Sequence, residues 1–513
     1  MTGAGLPAEP PQQGGGPLAR AARIVAAIWS GLRQVFFGVL PAMGIAALLF
    51  MLAREVRKHD IELAPIPVPA KLADAGLTPE VMASRLLDQL DAGVRIVVAD
   101  TVGRPLAELS GSQPDFNVPI AGLSLRSTAN LLRNVLGIPQ RRISGEIVLE
   151  PGDRIGMRLR MSGEGQIADL HGFAQADPDA MLRAGALEIW RVIEPGIYVW
   201  QIYLRGGDQT VLRQRLDVIE AKPDLDANAR RTIAYARSRS LAVSNRAEEA
   251  LEIADALVAA NRSWPLAWHA RGIALQRLDR TDDAAAALRE GMAAPGRSTW
   301  CHQALAVLLR DRGDFAGSLD VVAQAKRIRL DDPGIWIEET YTLAQMNRGS
   351  QAIMSARQAI VLAPRSASSQ AALARALIAD RQYQPALEAA ELATQLGGGQ
   401  ANAWYQKAEI LRLTGEFAPA LSAYQEAQRV DSGSPWSYVG AGWTYRRMGQ
   451  HAAALEAFEA AIQRREAFGQ AHGGRGLALV SLGRGAEARA ALERAVALGY
   501  RPQDITAALA RLP

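Results

Sequence analysis

Few side chains in this 513-residue sequence are arranged for chemistry. Between residues 60 and 222 the one histidine is His171, and Asp153, Asp169, Asp177 and Asp179 form an acidic group in the same stretch. Histidine with carboxylates is the raw material for proton transfer or a metal site. Two of these aspartates have simpler duties: Asp153 follows Pro151 and Gly152 in a turn sequence, and Asp177 precedes Pro178 as a helix cap. No GxxxxGK[ST] phosphate loop, GxSxG elbow, HExxH pair or CxxC pair occurs. Cys301 is the only cysteine, which excludes an intrachain disulfide and a cysteine-based metal site. The residues therefore predict no catalytic, cofactor or metal site, and no enzyme.

The elements that would position those residues form a small α+β region over 60–222. Ile61 to Pro69 alternates apolar residues with prolines, as an edge strand or extended lead-in does. Thr78-Pro79 opens a helix with the apolar stripe Val81, Leu86, Leu87 and Leu90. Phe116–Ile120 reads as a short strand and Ser124–Leu136 as an amphipathic helix. Alternating Ile143, Ile147 and Leu149, then Ile155, Met157, Leu159 and Met161, flank the turn at Pro151-Gly152-Asp153 and predict a β-hairpin. A third strand is expected over Gln166–Ala174 and a helix from Asp177 to Ile193. Together these predict helices on an antiparallel sheet.

Composition adds two readings. Of the 57 basic residues only Lys58, Lys71, Lys222, Lys326 and Lys407 are lysines, and no basic run carries interleaved aromatics, so no nucleic-acid role is expected. Residues 1–19, rich in Gly, Pro and Gln, read as a disordered tail. Val35 to Ala53 has no charge, and its length corresponds to roughly 30 Å of helix, about one hydrocarbon core. The segment 24–53 is therefore expected to be an uncleaved membrane anchor, since the run is long and late for a signal peptide and Arg54 and Glu55 follow it. The expectation is a single-pass inner-membrane protein whose soluble part is periplasmic.

The C-terminal half is periodic. Small residues recur 34 apart at Ala250, Ala284, Ser318, Ala352, Ala386, Ala420, Ala454 and Ala488. A second series runs through Leu257, Gly291, Ala325, Ala359, Ala393, Ala427, Ala461 and Ala495, and a third through Ser238, Gly272, Ala306, Thr340, Ala374, Ala408, Gly442 and Gly476. Leu288, Tyr424, Phe458 and Leu492 stand four residues after the first series. Trp268, Trp336, Trp404 and Tyr438 lead their helices, and Gly-Asp-Phe at 313–315 and Gly-Glu-Phe at 415–417 fit inter-helix turns. An ungapped 34-residue period of helical hairpins resembles the tetratricopeptide (TPR) repeat family.

That resemblance implies a mostly α fold: a TPR solenoid of eight repeats over 231–502, closed by a capping helix at 503–513. The first repeat, with Ala234 and Ser238 at positions usually Trp and Gly, is atypical, and Gly397-Gly398-Gly399 makes the fifth exit turn unusual. In the family, the first helix of each hairpin lines a concave groove. Mapped onto this sequence, the inward positions are His269, Gln303, Tyr341, Arg375, Tyr405, Arg412, Trp443 and Arg446. Arginine among aromatics suits an extended peptide or carboxylate groups. The Lys and Asn pattern with which some relatives clamp a chain terminus is absent. The whole arrangement also resembles bacterial membrane-anchored TPR proteins. The predicted function is a membrane-tethered scaffold for a protein or peptide partner, in envelope assembly; the alternative is a sensory or regulatory protein whose α+β region binds a small ligand.

Overall fold

The computed structural model describes residues 61–101, 109–110, 141–223 and 225–512. The strand and helix expected at 116–120 and 124–136, the tail at 1–19 and the anchor at 24–53 lie outside the described residues. The chain divides into two compact units. Residues up to Leu87 and from Arg104 to Met181 form the first; Asp88–Gly103 and Leu182–Pro513 form the second.

The first unit is built on a sheet. Its strands are β1 (Ile61–Leu63), β2 (Leu109–Ser110), β3 (Arg141–Glu150), β4 (Arg154–Met161) and β5 (Gly165–Ala174), in the order β2-β1-β3-β4-β5. The expected hairpin forms, with Ile143 opposite Met161 and Glu150 opposite Arg154. The sheet is mixed and not wholly antiparallel, because β1 pairs in parallel with both β2 and β3. Past β1 the prolines have no N–H to give, yet the chain stays alongside β3: Ala64 N donates to the Ile143 carbonyl (2.9 Å) and the Pro67 carbonyl accepts from Ile147 N (2.9 Å). Alternate residues Ile155, Met157, Leu159 and Met161 are buried, as the period of two requires. A short helix α1 (Ala70–Ala73) precedes α2 (Pro79–Thr101), where Val81 N donates to Thr78 Oγ1 (3.4 Å). Helix α3 (Pro178–Ile193) starts on the expected Asp177 cap, whose carboxylate accepts from Ala180 N (3.2 Å).

The second unit is helical. After α4 (Pro195–Arg205) and α5 (Gln209–Glu220) come eight hairpins, each of two helices. They are α6 (Ala227–Val243) with α7 (Ala247–Ala260), α8 (Pro265–Arg277) with α9 (Thr281–Ala293), α10 (Trp300–Asp311) with α11 (Phe315–Ile328), and α12 (Pro333–Gln345) with α13 (Gly349–Leu362). Then follow α14 (Ala367–Ala379) with α15 (Tyr383–Leu396), α16 (Ala401–Thr414) with α17 (Phe417–Val430), α18 (Pro435–Arg447) with α19 (His451–Arg464), and α20 (Gly469–Ser481) with α21 (Gly485–Ala497). Helix α22 (Gln503–Arg511) covers the end, seating a fully buried Ile505 against Leu477 and Leu492.

The small-residue series are the contact lines between paired helices. All eight members of the first series are completely buried. A Cβ at Gly272, Gly442 or Gly476 would run into Leu288, Phe458 or Leu492, so the third series leaves room for the large residue of the second helix. Where the small residue is serine its hydroxyl is satisfied across the same line: Ser238 Oγ donates to the Ala250 carbonyl (2.8 Å) and Ser318 Oγ to the Ala306 carbonyl (2.9 Å). A further series lies in the turns. Asn245, Asp279, Gly313, Asn347, Arg381, Gly415, Gly449 and Gly483 all have positive φ, 34 residues apart. Each ends the first helix of its hairpin in the left-handed conformation that reverses the chain.

The membrane expectation is corrected here. No helix among the described residues is long and apolar enough to cross a membrane. The longest of them, α2, carries Glu80, Arg85, Asp88, Asp91, Arg95 and Asp100, and a charge load of that size is incompatible with a hydrocarbon core. A single-pass inner-membrane placement with a periplasmic soluble part is therefore not supported.

Candidate functional site

The acidic group of the first unit is dispersed. Asp153 is a positive-φ turn residue paired with Lys71 (3.4 Å), and Asp179 pairs with Arg85 (3.7 Å). Asp169 lies between Arg158 (3.3 Å) and His171 Nε2 (3.0 Å), while His171 Nδ1 meets Glu150 (2.5 Å). The hydrogen bond to Glu150 raises the His171 pKa, and burial opposes it. The group is exposed and its charges already compensate one another.

In the second unit the groove is not open along its length. Helix α4 packs on the first hairpin and reaches the third. Its Trp200 packs on Tyr235 (centroids 5.1 Å apart) and Trp300 (6.2 Å), and its Tyr203 hydroxyl accepts from Arg239 Nε (3.2 Å). The loop after α4 is tied to the fifth exit turn: Gly207 N donates to the Gly399 carbonyl (2.9 Å), and a Cβ at Gly399 would meet Gly207 N at 2.5 Å. The three-glycine turn thus permits a backbone-to-backbone approach.

The array also touches itself across successive turns of its spiral. Gly433 N donates to the Val243 carbonyl (3.0 Å), Arg277 pairs with Asp431 (2.9 Å), and Asp279 accepts from Ala467 N (3.1 Å). Arg465 approaches both Asp279 (3.6 Å) and Asp311 (3.8 Å). Loops of repeats six to eight thereby close on repeats one to three.

What remains inside is a pair of adjoining cavities, about 340 and 490 Å³. Both are lined by Arg310, Asp311, Gln345, Arg375, Tyr405 and Trp436. Glu338, Tyr341, Asn402, Gln406, Asp431 and Ser437 belong to the first; Glu409, Arg412 and Trp443 to the second. Volumes of this order match small-ligand or single-side-chain seats.

The interior charges are matched with one exception. Glu338 pairs with Arg310 (2.6 Å), Glu409 with Arg412 (2.8 Å), Asp431 with Arg277 (2.9 Å) and Asp311 with Arg465 (3.8 Å). Burial opposes ionisation of Glu409, but Arg412 and the Tyr424 hydroxyl outweigh it and lower its pKa. At Glu338 and Asp311 burial prevails and raises the pKa, against the pull of Arg310. Burial raises the Tyr341 phenol to about 12 and Tyr405 higher still, so both stay neutral donors near neutral pH. Arg375, half-buried between these groups, has no ion pair and no hydrogen bond among the described residues.

Three further wall atoms have no hydrogen-bond partner among the described residues: Arg310 Nε, Gln406 Oε1 and Ser437 Oγ. Tyr341 Oη accepts from Asn402 Nδ2 (2.6 Å), and Asn402 Oδ1 accepts from Gln406 Nε2 (3.2 Å). That chain orients Gln406 so that its buried Oε1 has no donor. Ser437 Oγ, also buried on the wall, has no partner either.

The residues mapped from sequence therefore divide. Tyr341, Arg375, Tyr405, Arg412 and Trp443 line the cavities. His269 is buried beneath the α4 contact, bonded to Tyr235 Oη (2.9 Å), and burial, with Arg239 beside it, pushes its pKa well below the usual value. Gln303 braces the next helix through Asp332 (3.0 Å). Arg446 lies against the Trp443 ring (5.6 Å). Arg310 and Glu409 were missed, although repeat register points to them: Arg310 stands three periods before Arg412, and Glu409 one period after Arg375.

Two TPR family models match the sequence, over residues 399–467 and 439–504. Residues 399–504 thus carry tetratricopeptide repeats, and such repeats imply a scaffold for protein–protein interaction. No curated protein matches it. Among solved structures, the APC/C hetero-tetramer Cut9–Hcn1 is 13% identical with a TM-score of 0.45, covering 66% of this chain and 63% of that one. YrrB, a TPR protein with an unusual peptide-binding site, is 17% identical with a TM-score of 0.27, covering 36% of this chain and 96% of that one. A thermophilic TPR protein of Thermus thermophilus is 18% identical with a TM-score of 0.33, covering 36% and 100%. The chain thus spans less than two thirds of the first of these structures.

Proposed function

We propose that this chain is a non-catalytic scaffold and that the cavities between repeats three and seven seat a segment of its protein partner. The observation that supports this reading is the set of wall groups without partners among the described residues: Arg375, Gln406 Oε1 and Ser437 Oγ. Buried polar atoms are usually satisfied, so unsatisfied ones that face a cavity beside an unpaired guanidinium fit a place where a ligand completes the bonding. The N-terminal part of the groove is already occupied by α4, which leaves the interior as the seat.

Ala401 lines the first cavity at the start of α16. Ala401→Trp should fill it while leaving the hairpin intact. In pull-downs from extracts of the source organism, quantified by mass spectrometry, partner recovery should drop about tenfold with Ala401→Trp and stay unchanged with Arg429→Gln, whose ion pair with Glu426 is exposed (2.9 Å). Equal recovery with wild type and Ala401→Trp would refute the proposal.

A further inference from the structure

We infer that the first cavity takes a carboxylate carried on a peptide, with one negative charge at Arg375 and a neighbouring amide N–H at Gln406; this rests on the interior being the partner's seat. The charge requirement comes from the pairing described above. Each of the four carboxylates lining the two cavities has a cation within 4.0 Å, Asp311 sharing Arg465 with Asp279, and of the arginines on the walls only Arg375 has neither an ion pair nor a hydrogen bond among the described residues. One unmatched guanidinium calls for one anionic charge, and its planar fork fits a carboxylate in bidentate fashion. A phosphate dianion would bring a second negative charge beside the three carboxylates of this cavity, at a cost that rises with burial.

The unpartnered atoms add polarity. Gln406 Oε1 is an acceptor only, so it needs a donor from the ligand. Ser437 Oγ can donate to the second carboxylate oxygen. A carboxylate beside an N–H is what an acidic residue, or a chain end, presents within a peptide. A cavity of about 340 Å³ suits one such residue rather than a folded surface.

The test uses the full chain and isothermal titration calorimetry with four probes. They are acetyl-Gly-Ser-Asp-Gly-amide, acetyl-Gly-Ser-Ala-Gly with a free terminus, acetyl-Gly-Ser-Ala-Gly-amide, and inorganic phosphate. At least one of the two carboxylate peptides should bind, and which one tells side chain from chain end; the neutral amide and phosphate should not. Arg375→Gln should weaken that binding about tenfold or more, and Arg375→Lys should recover part of it. Because Arg375 has no ion pair or hydrogen bond among the described residues, Arg375→Gln orphans no partner there, and an unchanged thermal midpoint would verify its fold. Equal affinity for the neutral peptide, preference for phosphate, or indifference to Arg375→Gln would overturn the inference. If no probe binds while Ala401→Trp still abolishes partner recovery, the carboxylate assignment falls and the scaffold reading stands.

Discussion

Burial sets the charge of single residues throughout the array. His269, His302 and His472 each have a lowered pKa, with burial the largest cause in all three. The folded chain keeps them neutral where the unfolded chain, with histidine pKa near 6.5, takes up protons. Stability from this source is complete above that value and is lost as pH falls below it. The thermal midpoint should therefore drop between about pH 6.5 and about pH 5, and the drop should shrink in His269→Gln, as scanning calorimetry would check. A midpoint that is flat over this window would contradict the assignment. Cys301 behaves alike: buried at 1% exposure, its thiol donates to the Pro265 carbonyl (3.3 Å) and burial pushes its pKa up to about 12. At this scale the sequence was only partly legible. It marked Arg375 and Tyr405 as inward by register, but it could not mark Gln406 or Ser437. Their role depends on what surrounds them after folding, on residues such as Asn402 that lie outside any series of small or aromatic positions.

Among the elements, hairpins were legible because the signal is redundant. Three small-residue series and the large residue opposite them encode one packing line, so an error in one is corrected by the others. The turn series was harder to read, since Asn, Asp, Gly and Arg share no chemistry; they share a backbone conformation. Arg381 is the costly member, because a residue with a Cβ and no local side-chain hydrogen bond is strained there. Its side chain has no hydrogen bond or ion pair among the described residues, so Arg381→Gly should raise stability by about 1 kcal/mol, read as a shift in the denaturant midpoint at constant slope. The reverse control, Gly415→Ala, should cost a similar amount, because open space surrounds its missing Cβ and only the backbone conformation is at stake. No gain from Arg381→Gly would mean that the turn is set by something other than φ. Helix α4 was the element least legible. Its apolar run announces burial, but nothing local says that Trp200 and Tyr203 will pack on Tyr235 of the first repeat, with Trp200 also reaching Trp300 of the third.

Over the whole second unit, local pairings between neighbouring repeats could give an open spiral, and the contacts between its successive turns narrow it to a closed one. The Arg277–Asp431 pair joins residues 154 apart and is mostly buried, so it is little screened by salt. Asp431→Arg should loosen this closure and increase the radius of gyration in small-angle scattering, and Arg277→Asp combined with Asp431→Arg should reverse the change. Failure of the double variant to recompact the chain would show that the pair does not hold the turns together. The closure was invisible in sequence because it depends on the accumulated twist of five hairpins, to which every turn contributes a little.

The eight hairpins are interchangeable in their local packing, but the closure gives them addresses. Val243, Arg277 and Asp279 meet the loops at 431–433 and 465–467 only because a fixed number of units lies between. Excising one intact repeat would preserve every neighbour-to-neighbour interface and still present the wrong loop to each of these residues. The array is therefore a counted object, in which gain or loss of a single module changes the closure, and with it the interior, although no module has been damaged.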